Sequence, residues 1–180
     1  AKEKGVEFKQ NIQTLNSANL DAKDINLNSK SNTQISSSNL RATNKLNIEA
    51  GNDIYVVGAN TNESTQTKEK SKGFFSKKES HLMAINQKVI SSNLNAGDIS
   101  LKAGGNAIVT GSNLSAKNDI NIDANNIGLA PTAYKNDEAR SSSKKSFGGL
   151  KSSLDMHSLA KTNLKGSSLS TSQGDINLNA

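Results

Sequence analysis

The sequence predicts an all-β solenoid, a parallel β-helix with coils of about 20 residues and two polar, β-hairpin-like excursions. Three observations lead to this fold class. A short phrase recurs after 20 residues, as at Leu94 and Leu114. Within each copy the large apolar residues lie two positions apart, which is the period of a β-strand, and Gly, Asn and Asp stand between them. The whole arrangement then recurs after about 74 residues.

The composition argues against both a compact globule and a disordered chain. Of the 180 residues, 33% are hydrophobic and 3% are aromatic, which is little for a globular core of this size. The Leu, Ile and Val residues nevertheless lie in register, as a narrow continuous core requires. There is no cysteine for a disulfide, and no apolar run is as long as a membrane span. The net charge of +6 permits attraction to phosphate, acidic glycans or an anionic membrane surface.

The longer period identifies which residues belong to one ladder of the core. Shifting six residues by 74 superimposes Leu20, Ile25, Leu27, Leu40, Leu46 and Ile48 on Leu94, Ile99, Leu101, Leu114, Ile120 and Ile122. If each coil makes three short strands that pair in parallel with those of its neighbours, these side chains stack inward. Asparagines that precede the ladder leucines are predicted to form a row of stacked amides: Asn19, Asn39, Asn93 and Asn113. No coil buries enough apolar surface to be stable alone, so its neighbours must stabilise it.

Two stretches depart from the repeat, at about residues 61–82 and 132–160. They carry few large apolar side chains, so we expect two-stranded excursions with both faces in water. In the second stretch the spacing of Leu150, Leu154 and His157 is nearly helical, and a short helix is the alternative there.

The chain as a whole, residues 1–180, is predicted to be one β-helix segment of a larger protein. It opens and closes in the middle of the pattern, so any export signal would lie outside it. Before the first coil, Val6, Phe8 and Ile12 alternate with polar residues, which fits a partial strand.

The phrase SSNLNAGDISLKAGGNAIVTGSNLSAKNDINIDA resembles the haemagglutinin repeats of filamentous haemagglutinin and of contact-dependent growth-inhibition effectors. These are large exoproteins of two-partner secretion in Gram-negative bacteria. The excursion sequences SKGFFSKK and SKKSFGGLK resemble segments inserted in their second repeat region. The resemblance covers most of residues 15–180 and implies a right-handed β-helix, exported through an outer-membrane two-partner secretion transporter to fold at the cell surface. It implies toxin delivery in the growth-inhibition branch and a stalk in the adhesin branch.

Candidates for catalysis or metal binding are few. Aspartates that precede an isoleucine suggest a carboxylate row for calcium or for glycan cleavage, as in β-helical lyases: Asp24, Asp53, Asp98, Asp119 and Asp175. Turn chemistry, in which Asp accepts local backbone hydrogen bonds, explains them more simply. His81 and His157 have no second ligand at metal-binding spacing, and no serine stands in a nucleophile motif. We therefore predict no catalytic residue, no metal site and no cofactor.

The excursions hold the best candidates for a functional surface. Basic and apolar residues are mixed in both: Lys72, Phe74, Phe75, Lys77 and Lys78 in the first, and Lys144, Lys145, Phe147 and Leu150 in the second. This combination suits contact with a lipid headgroup region or an anionic polysaccharide. In the alternative, Phe74 and Phe147 fold back onto the coils and the lysines are only solvated. Nucleic acid is not expected as a partner, because base stacking usually needs several aromatic residues on one groove.

These observations predict a non-enzymatic segment of a secreted protein at the bacterial cell surface. Its predicted role is to help deliver a growth-inhibition toxin to a neighbouring cell, whose surface or outer membrane would be its partner. The alternative role is an adhesin stalk that binds host or bacterial surfaces, and a β-helical glycan lyase is a third hypothesis.

Overall fold

The computed structural model of the protein describes residues 3–180, which consist almost entirely of β-strands and turns. In chain order the strands are β1 (Glu3–Gln13), β2 (Asn19–Ser29), β3 (Thr33–Ser36), β4 (Asn39–Ala50), β5 (Ile54–Val57), β6 (Ala59–Lys72), β7 (Ser76–Ile90), β8 (Asn93–Ala96), β9 (Asp98–Ala103), β10 (Asn106–Thr110), β11 (Asn113–Ala116), β12 (Ile120–Asp123), β13 (Asn126–Ala130), β14 (Thr132–Ser146), β15 (Lys151–Lys165), β16 (Ser168–Thr171) and β17 (Ile176–Asn179). A 3-10 turn at Phe147–Gly149 is the one helical element in this part of the chain.

The chain divides into two compact units, which we call the coil unit and the hairpin unit. The coil unit comprises Leu15–Asn60, Val89–Ala133 and Leu164–Ala180. The hairpin unit comprises residues 3–14 together with Thr61–Lys88 and Tyr134–Asn163. The sequence predicted one segment over residues 1–180, of which residues 1 and 2 lie outside the described part. The excursions group as a unit because their strands pair with one another, and the assignment of residues 1–180 to one segment of a larger protein stays a prediction.

The coil unit is a parallel β-helix, which confirms the predicted fold class. Its strands form two sheets, one in the order β16-β11-β8-β4-β9-β12-β17 with β2 also paired to β4, and one in the order β13-β10-β5-β3. Every strand pair in these sheets is parallel, so each coil satisfies the backbone groups of the next. The coil unit also contains all of the buried apolar side chains of the described chain.

The core consists of apolar ladders in the predicted register. One ladder is made of leucines in five successive coils: Leu20, Leu40, Leu94, Leu114 and Leu169. A second follows the same coils through Ile25, Leu46, Ile99, Ile120 and Ile176. Since the residues that a shift of 74 superimposes share a ladder, the period read from the sequence is the period of the core.

The predicted row of asparagine amides is also confirmed. Each side-chain amide donates a hydrogen bond to the side-chain oxygen one coil earlier, from Asn39 to Asn19 (2.7 Å), Asn93 to Asn39 (2.8 Å) and Asn113 to Asn93 (2.9 Å). The hydroxyl of Ser168 continues the row by donating to Asn113 over 2.8 Å. A row of this kind satisfies the polar groups at the turn and fixes the coils in register.

The number of strands per coil departs from the prediction of three. The third coil has β8, β9 and β10 and the fourth has β11, β12 and β13, as expected. In the first two coils, β2 and β4 each run continuously through the corner, with an irregularity in their pairing between Ala22 and Asp24. The polar sequences at the corners, Lys-Asp and Thr-Asn-Lys, do not by themselves distinguish a turn from a bulged strand.

Buried serines at one corner explain how the helix accommodates the excursions. Ser92 is fully buried, and its single hydroxyl proton lies between the carbonyl oxygens of Val57 (2.8 Å from Oγ) and Ile35 (3.2 Å from Oγ). The hydroxyl of Ser37 donates to the carbonyl of Ile90 over 3.0 Å. Val57 and Ile90 lie close to the points where the chain leaves and re-enters the coil unit. An unpaired buried carbonyl group is costly. The hydroxyl groups of these serines therefore stabilise the corner at which the chain leaves the coil unit.

The hairpin unit is a single five-stranded sheet in the order β1-β6-β7-β14-β15. The pairings β1·β6 and β7·β14 are antiparallel, and no described side chain of this unit is buried. The hairpins run over Ala59–Ile90 and Thr132–Lys165, beyond the ranges expected from the sequence. The alternative of a helix near Leu154 is wrong, because β15 occupies that stretch as a strand with β14 as its neighbour.

Candidate surface-contact site

The loops of the two hairpins bring the predicted surface residues together at one end of the sheet. In the first loop the Gly73 N–H donates to the Ser76 carbonyl over 2.7 Å, so Phe74 and Phe75 occupy a tight turn. The second loop follows β14, and its Phe147 N–H donates to the carbonyl of Phe75 over 2.8 Å. This backbone bond joins two loops that belong to different repeats of the sequence.

The second loop is held in an unfavourable backbone conformation. Phe147 has φ +53°, and Gly148 and Gly149 follow with φ +67° and +101°. Glycine adopts such angles readily, whereas a phenylalanine there costs on the order of 1–3 kcal/mol. Strain of this kind tends to be kept where a side chain must be presented in one direction, and here it presents Phe147.

Three aromatic rings and a leucine are exposed at these loops. Phe75 and Phe147 stack with their ring centroids 6.4 Å apart, and Phe74 meets Phe75 edge-on at 4.5 Å. The exposed fractions are 90% for Phe74, 64% for Phe75, 65% for Phe147 and 94% for Leu150. The alternative in which Phe74 and Phe147 are covered therefore does not hold. An exposed aromatic cluster of this size is unusual on a soluble surface and makes these loops the candidate contact site.

Strand register places the lysines of this end directly opposite one another. In the β7·β14 pair, Lys77 faces Lys145 and Lys78 faces Lys144. Like charges in facing positions of a sheet destabilise it. Within residues 3–180, no carboxylate forms a salt bridge with any of these four lysines. Positive charge therefore accumulates at this end of the β7·β14 pair without a neutralising carboxylate among the described residues.

The loops border an open trough of about 780 Å³. Its lining combines the aromatic rings with Lys72, Lys77 and Lys145 and the backbone of both turns. Lys72 is the one candidate lysine with an acidic neighbour, since its ammonium group lies 3.9 Å from a carboxylate oxygen of Glu3. The remaining candidates, Lys78 and Lys144, lie one residue further along the strands and outside the trough.

Basic residues further along the first hairpin are neutralised instead. Glu79 lies 3.4 Å from the ammonium group of Lys70 and 3.7 Å from that of Lys68, and His81 approaches it at 3.4 Å. Burial raises the pKa of Glu79, but the hydrogen bond and charge of Lys70, the charge of Lys68 and the hydrogen bond from His81 outweigh it and leave the pKa below its ordinary value. Lys68, Lys70 and His81 therefore share one carboxylate, whereas among the described residues Lys77, Lys78, Lys144 and Lys145 near the loops have none.

The two histidines come closer together than the sequence suggested. His81 on β7 and His157 on β15 both line a depression of about 410 Å³ on the sheet, with Arg140 of the intervening strand β14. An arginine beside two histidines disfavours a bound cation, and no group of three or more His, Asp or Glu side chains suited to a metal occurs within residues 3–180. We assign no role to this depression.

Aspartates of the predicted row accept hydrogen bonds from backbone N–H groups of the following coil. Asp24 accepts from Lys45 N–H (3.2 Å), Asp98 from Asp119 N–H (3.3 Å) and Asp119 from Asp175 N–H (2.9 Å). The sequence predicted turn chemistry with local partners, and the structure shows partners one coil away. Through one oxygen each, these carboxylates join successive coils, so the positions of the three aspartates are explained by a structural role.

Asp53 accepts more hydrogen bonds than the other aspartates of the row. The backbone N–H of Asn106 donates to it over 2.7 Å and the hydroxyl of Tyr55 over 3.0 Å. These bonds, with the Asn106 side-chain amide, lower the pKa of Asp53 against the opposing effect of burial. The hydrogen bond to Asp53 in turn raises the pKa of Tyr55, with burial and the aspartate charge adding to it.

A substitution tests this linkage. The folded state binds the proton of Asp53 less readily than the unfolded state does. The ionised carboxylate therefore adds to the free energy of unfolding at neutral pH, and this contribution is lost as pH falls below about 4. We expect Asp53→Asn to lower the urea midpoint most at pH 7, and the difference from the native protein to shrink towards pH 3. All other carboxylates are common to both proteins and cancel in this difference. A difference that stays constant or grows on acidification would contradict the assignment.

Comparison with known families places the chain among repeat proteins. The family model described as Hemagglutinin repeat matches residues 75–180, which is more than half of the chain and includes the second hairpin and the last three coils. No curated protein and no solved structure matches the chain. Within residues 3–180, no helix has the length and hydrophobicity needed to cross a bilayer.

Proposed function

Because the chain belongs to the Hemagglutinin repeat family, we propose that it helps a growth-inhibition protein to deliver its toxin into a neighbouring bacterium. The family membership itself supports a coarser function. Haemagglutinin repeats form structural segments, rather than catalytic ones, in secreted cell-surface proteins of the adhesin type. Delivery by contact is the finer proposal, and it requires a surface that engages the membrane of the target cell.

The observation that carries the proposal is the exposed cluster of Phe74, Phe75 and Phe147 beside four lysines without acidic partners. Aromatic rings favour the boundary between headgroups and acyl chains, and each lysine near an anionic surface adds about 1 kcal/mol. The outer face of a Gram-negative bacterium carries phosphate and acidic sugars, so the cluster matches the target in both charge and hydrophobicity.

The proposal includes two further partners. Export would pass through an outer-membrane two-partner secretion transporter, as for other proteins with these repeats. On the target cell, acidic glycans share the negative charge of lipid phosphates. Both chemistries would engage the lysines, whereas only a bilayer would gain from burying the rings.

The experiment uses the full-length protein displayed on living cells. The variant Phe74→Ser, Phe75→Ser and Phe147→Ser removes the rings, which no described neighbour buries, so the fold should persist. Burying one exposed phenylalanine contributes about 1.5–3 kcal/mol, so toxin entry should fall by about tenfold or more. Attachment of the two cells, measured by flow cytometry, should not change.

The matched control replaces three similarly exposed apolar residues of the same unit, Val6, Phe8 and Ile12 on β1, by serine. This control should deliver toxin normally. Loss of cell attachment together with entry would assign the cluster to adhesion. Normal entry by the phenylalanine variant would remove the cluster from the mechanism.

A further inference from the structure

The hairpin sheet repeats one strand pairing. In β1·β6 the register sets Glu3 opposite Lys72, and in β7·β14 it sets Lys77 opposite Lys145. A shift by one repeat, about 74 residues, takes Glu3 to the position of Lys77 and takes Lys72 to within one position of Lys145. The interfaces β1·β6 and β7·β14 are therefore equivalent. In each, the first strand of a hairpin (β6 or β14) pairs in the same register with the strand that precedes it in the sheet (β1 or β7).

Strand β15 is the next member of the same series. Like β7 it has 15 residues, and its first residue, Lys151, lies one repeat after Ser76, the first residue of β7. The interior strand β7 has a neighbour on both sides, namely β6 and β14. Among the described residues β15 has a neighbour on one side, β14, and its other edge is free. β1 is followed in the sheet by β6, and β7 is followed by β14. Among the described residues, no strand occupies the corresponding position next to β15.

The free edge carries features that a pairing strand would satisfy. Met156 of β15 is 73% exposed. Leu154 and Leu159 are exposed as well. Strand β15 contains no proline, and a long edge without one offers a row of unpaired N–H and C=O groups to an incoming strand.

We infer that the free edge of β15 binds the first strand of another haemagglutinin-repeat hairpin, antiparallel and in the register of β7·β14. The partner is a polar strand of the kind seen in β6 and β14, rich in Thr, Ser and charged residues, and backbone hydrogen bonds provide most of its affinity. With each repeat of about 74 residues the hairpins then add two strands to one continuous antiparallel sheet.

The register makes the inference specific. Arg140 of β14 lies opposite Leu82 of β7. The residue of β15 that corresponds to Leu82 is His157, because the two occupy the same position when the strands are aligned from their first residues. A strand with the sequence of β14 should therefore place its Arg140 position opposite His157. A slip by one residue would put the two side chains on opposite faces of the sheet.

The experiment adds a synthetic peptide with the sequence of residues 132–146 to the intact chain. We expect saturable binding by fluorescence anisotropy of the labelled peptide. A control peptide with Glu138→Pro and Ala139→Pro lacks one backbone N–H on each of its two edges. Its affinity should be lower by a factor of about ten or more. The chain has no cysteine, so single cysteines give an unambiguous readout of register.

Register is read from disulfides between an Arg140→Cys peptide and chain variants His157→Cys, Asp155→Cys and Leu159→Cys. We expect crosslinking at position 157 to be about tenfold faster than at 155 or 159, since those positions lie two residues away along the strand. Circular dichroism checks that each variant is folded. Equal rates at the three positions, no saturable binding, or equal binding of the proline peptide would overturn the inference. Crosslinks between two chains at these positions would assign the edge to a second copy instead.

Discussion

Leu94→Ala is expected to lower the free energy of unfolding by about 2–5 kcal/mol, the usual cost of a large cavity in a packed core. Leu94 is fully buried and lies in the middle of the leucine ladder, with Leu40 on one side and Leu114 on the other. A methyl group in its place leaves a void that neither neighbour can fill, because both are fixed by parallel pairing. Urea unfolding followed by circular dichroism measures the change.

The matched control is Leu20→Ala in the same ladder. Leu20 has one ladder neighbour, Leu40, and is 44% exposed, so its truncation removes less buried surface and leaves no closed cavity. We expect a loss of about 1 kcal/mol. Equal losses at the two positions would show that burial within the stack does not set the stability of a coil.

Gly104→Ala is expected to lower the free energy of unfolding by about 1–3 kcal/mol, although it adds a single methyl group. A Cβ atom at this position would overlap the carbonyl oxygen of Gly51 in the preceding coil and would lie 3.0 Å from its carbonyl carbon. Both are backbone atoms of a stacked turn, so no side-chain rotation relieves the clash. The coils must separate locally, at the expense of the hydrogen bond from Gly104 N–H to the Ala50 carbonyl, which is 3.0 Å long.

Gly166→Ala provides the control for the general effect of glycine replacement. Gly166 is exposed, and no atom lies within 4 Å of the place that the added methyl group would take, so the group meets nothing. We expect no loss, or a gain of about 0.4–1 kcal/mol from the less flexible unfolded chain. Thermal unfolding of the two variants separates these outcomes, and a destabilised Gly166→Ala would show that the loss at Gly104 is not caused by stacking.

Much of the coil unit could be read from spacing alone. A parallel β-helix places equivalent residues of successive coils directly above one another, so a period in the sequence becomes a contact in space. This is why the 20-residue and 74-residue periods identified the ladder of Leu40, Leu94 and Leu114. The buried Ser92 was missed, because many serines in the chain are exposed and only the path of the backbone shows which carbonyls need a donor.

The candidate site was predicted in its residues but not in its arrangement. Phe74 and Phe147 correspond under a shift of 73, which indicated that the two excursions were related. That their loops are bonded and that Phe75 stacks on Phe147 depends on pairing between β7 and β14, which is a contact between two different hairpins. Polar strands with both faces in water have no apolar pattern that specifies their register, so the sequence could not provide it.

The sequence by itself determined the solenoid, because a repeated apolar pattern with period two inside a period of 20 is satisfied by stacked parallel strands and by little else. Only the tertiary structure decided that the excursions form one sheet, that Lys77 faces Lys145, and that β15 is left with a free edge. The reason is physical. The spacing of apolar residues in the sequence determines which side chains are buried. Pairing between exposed strands instead uses backbone N–H and C=O groups, which nearly every residue carries, so which strands pair, and in which register, is decided only in the folded chain.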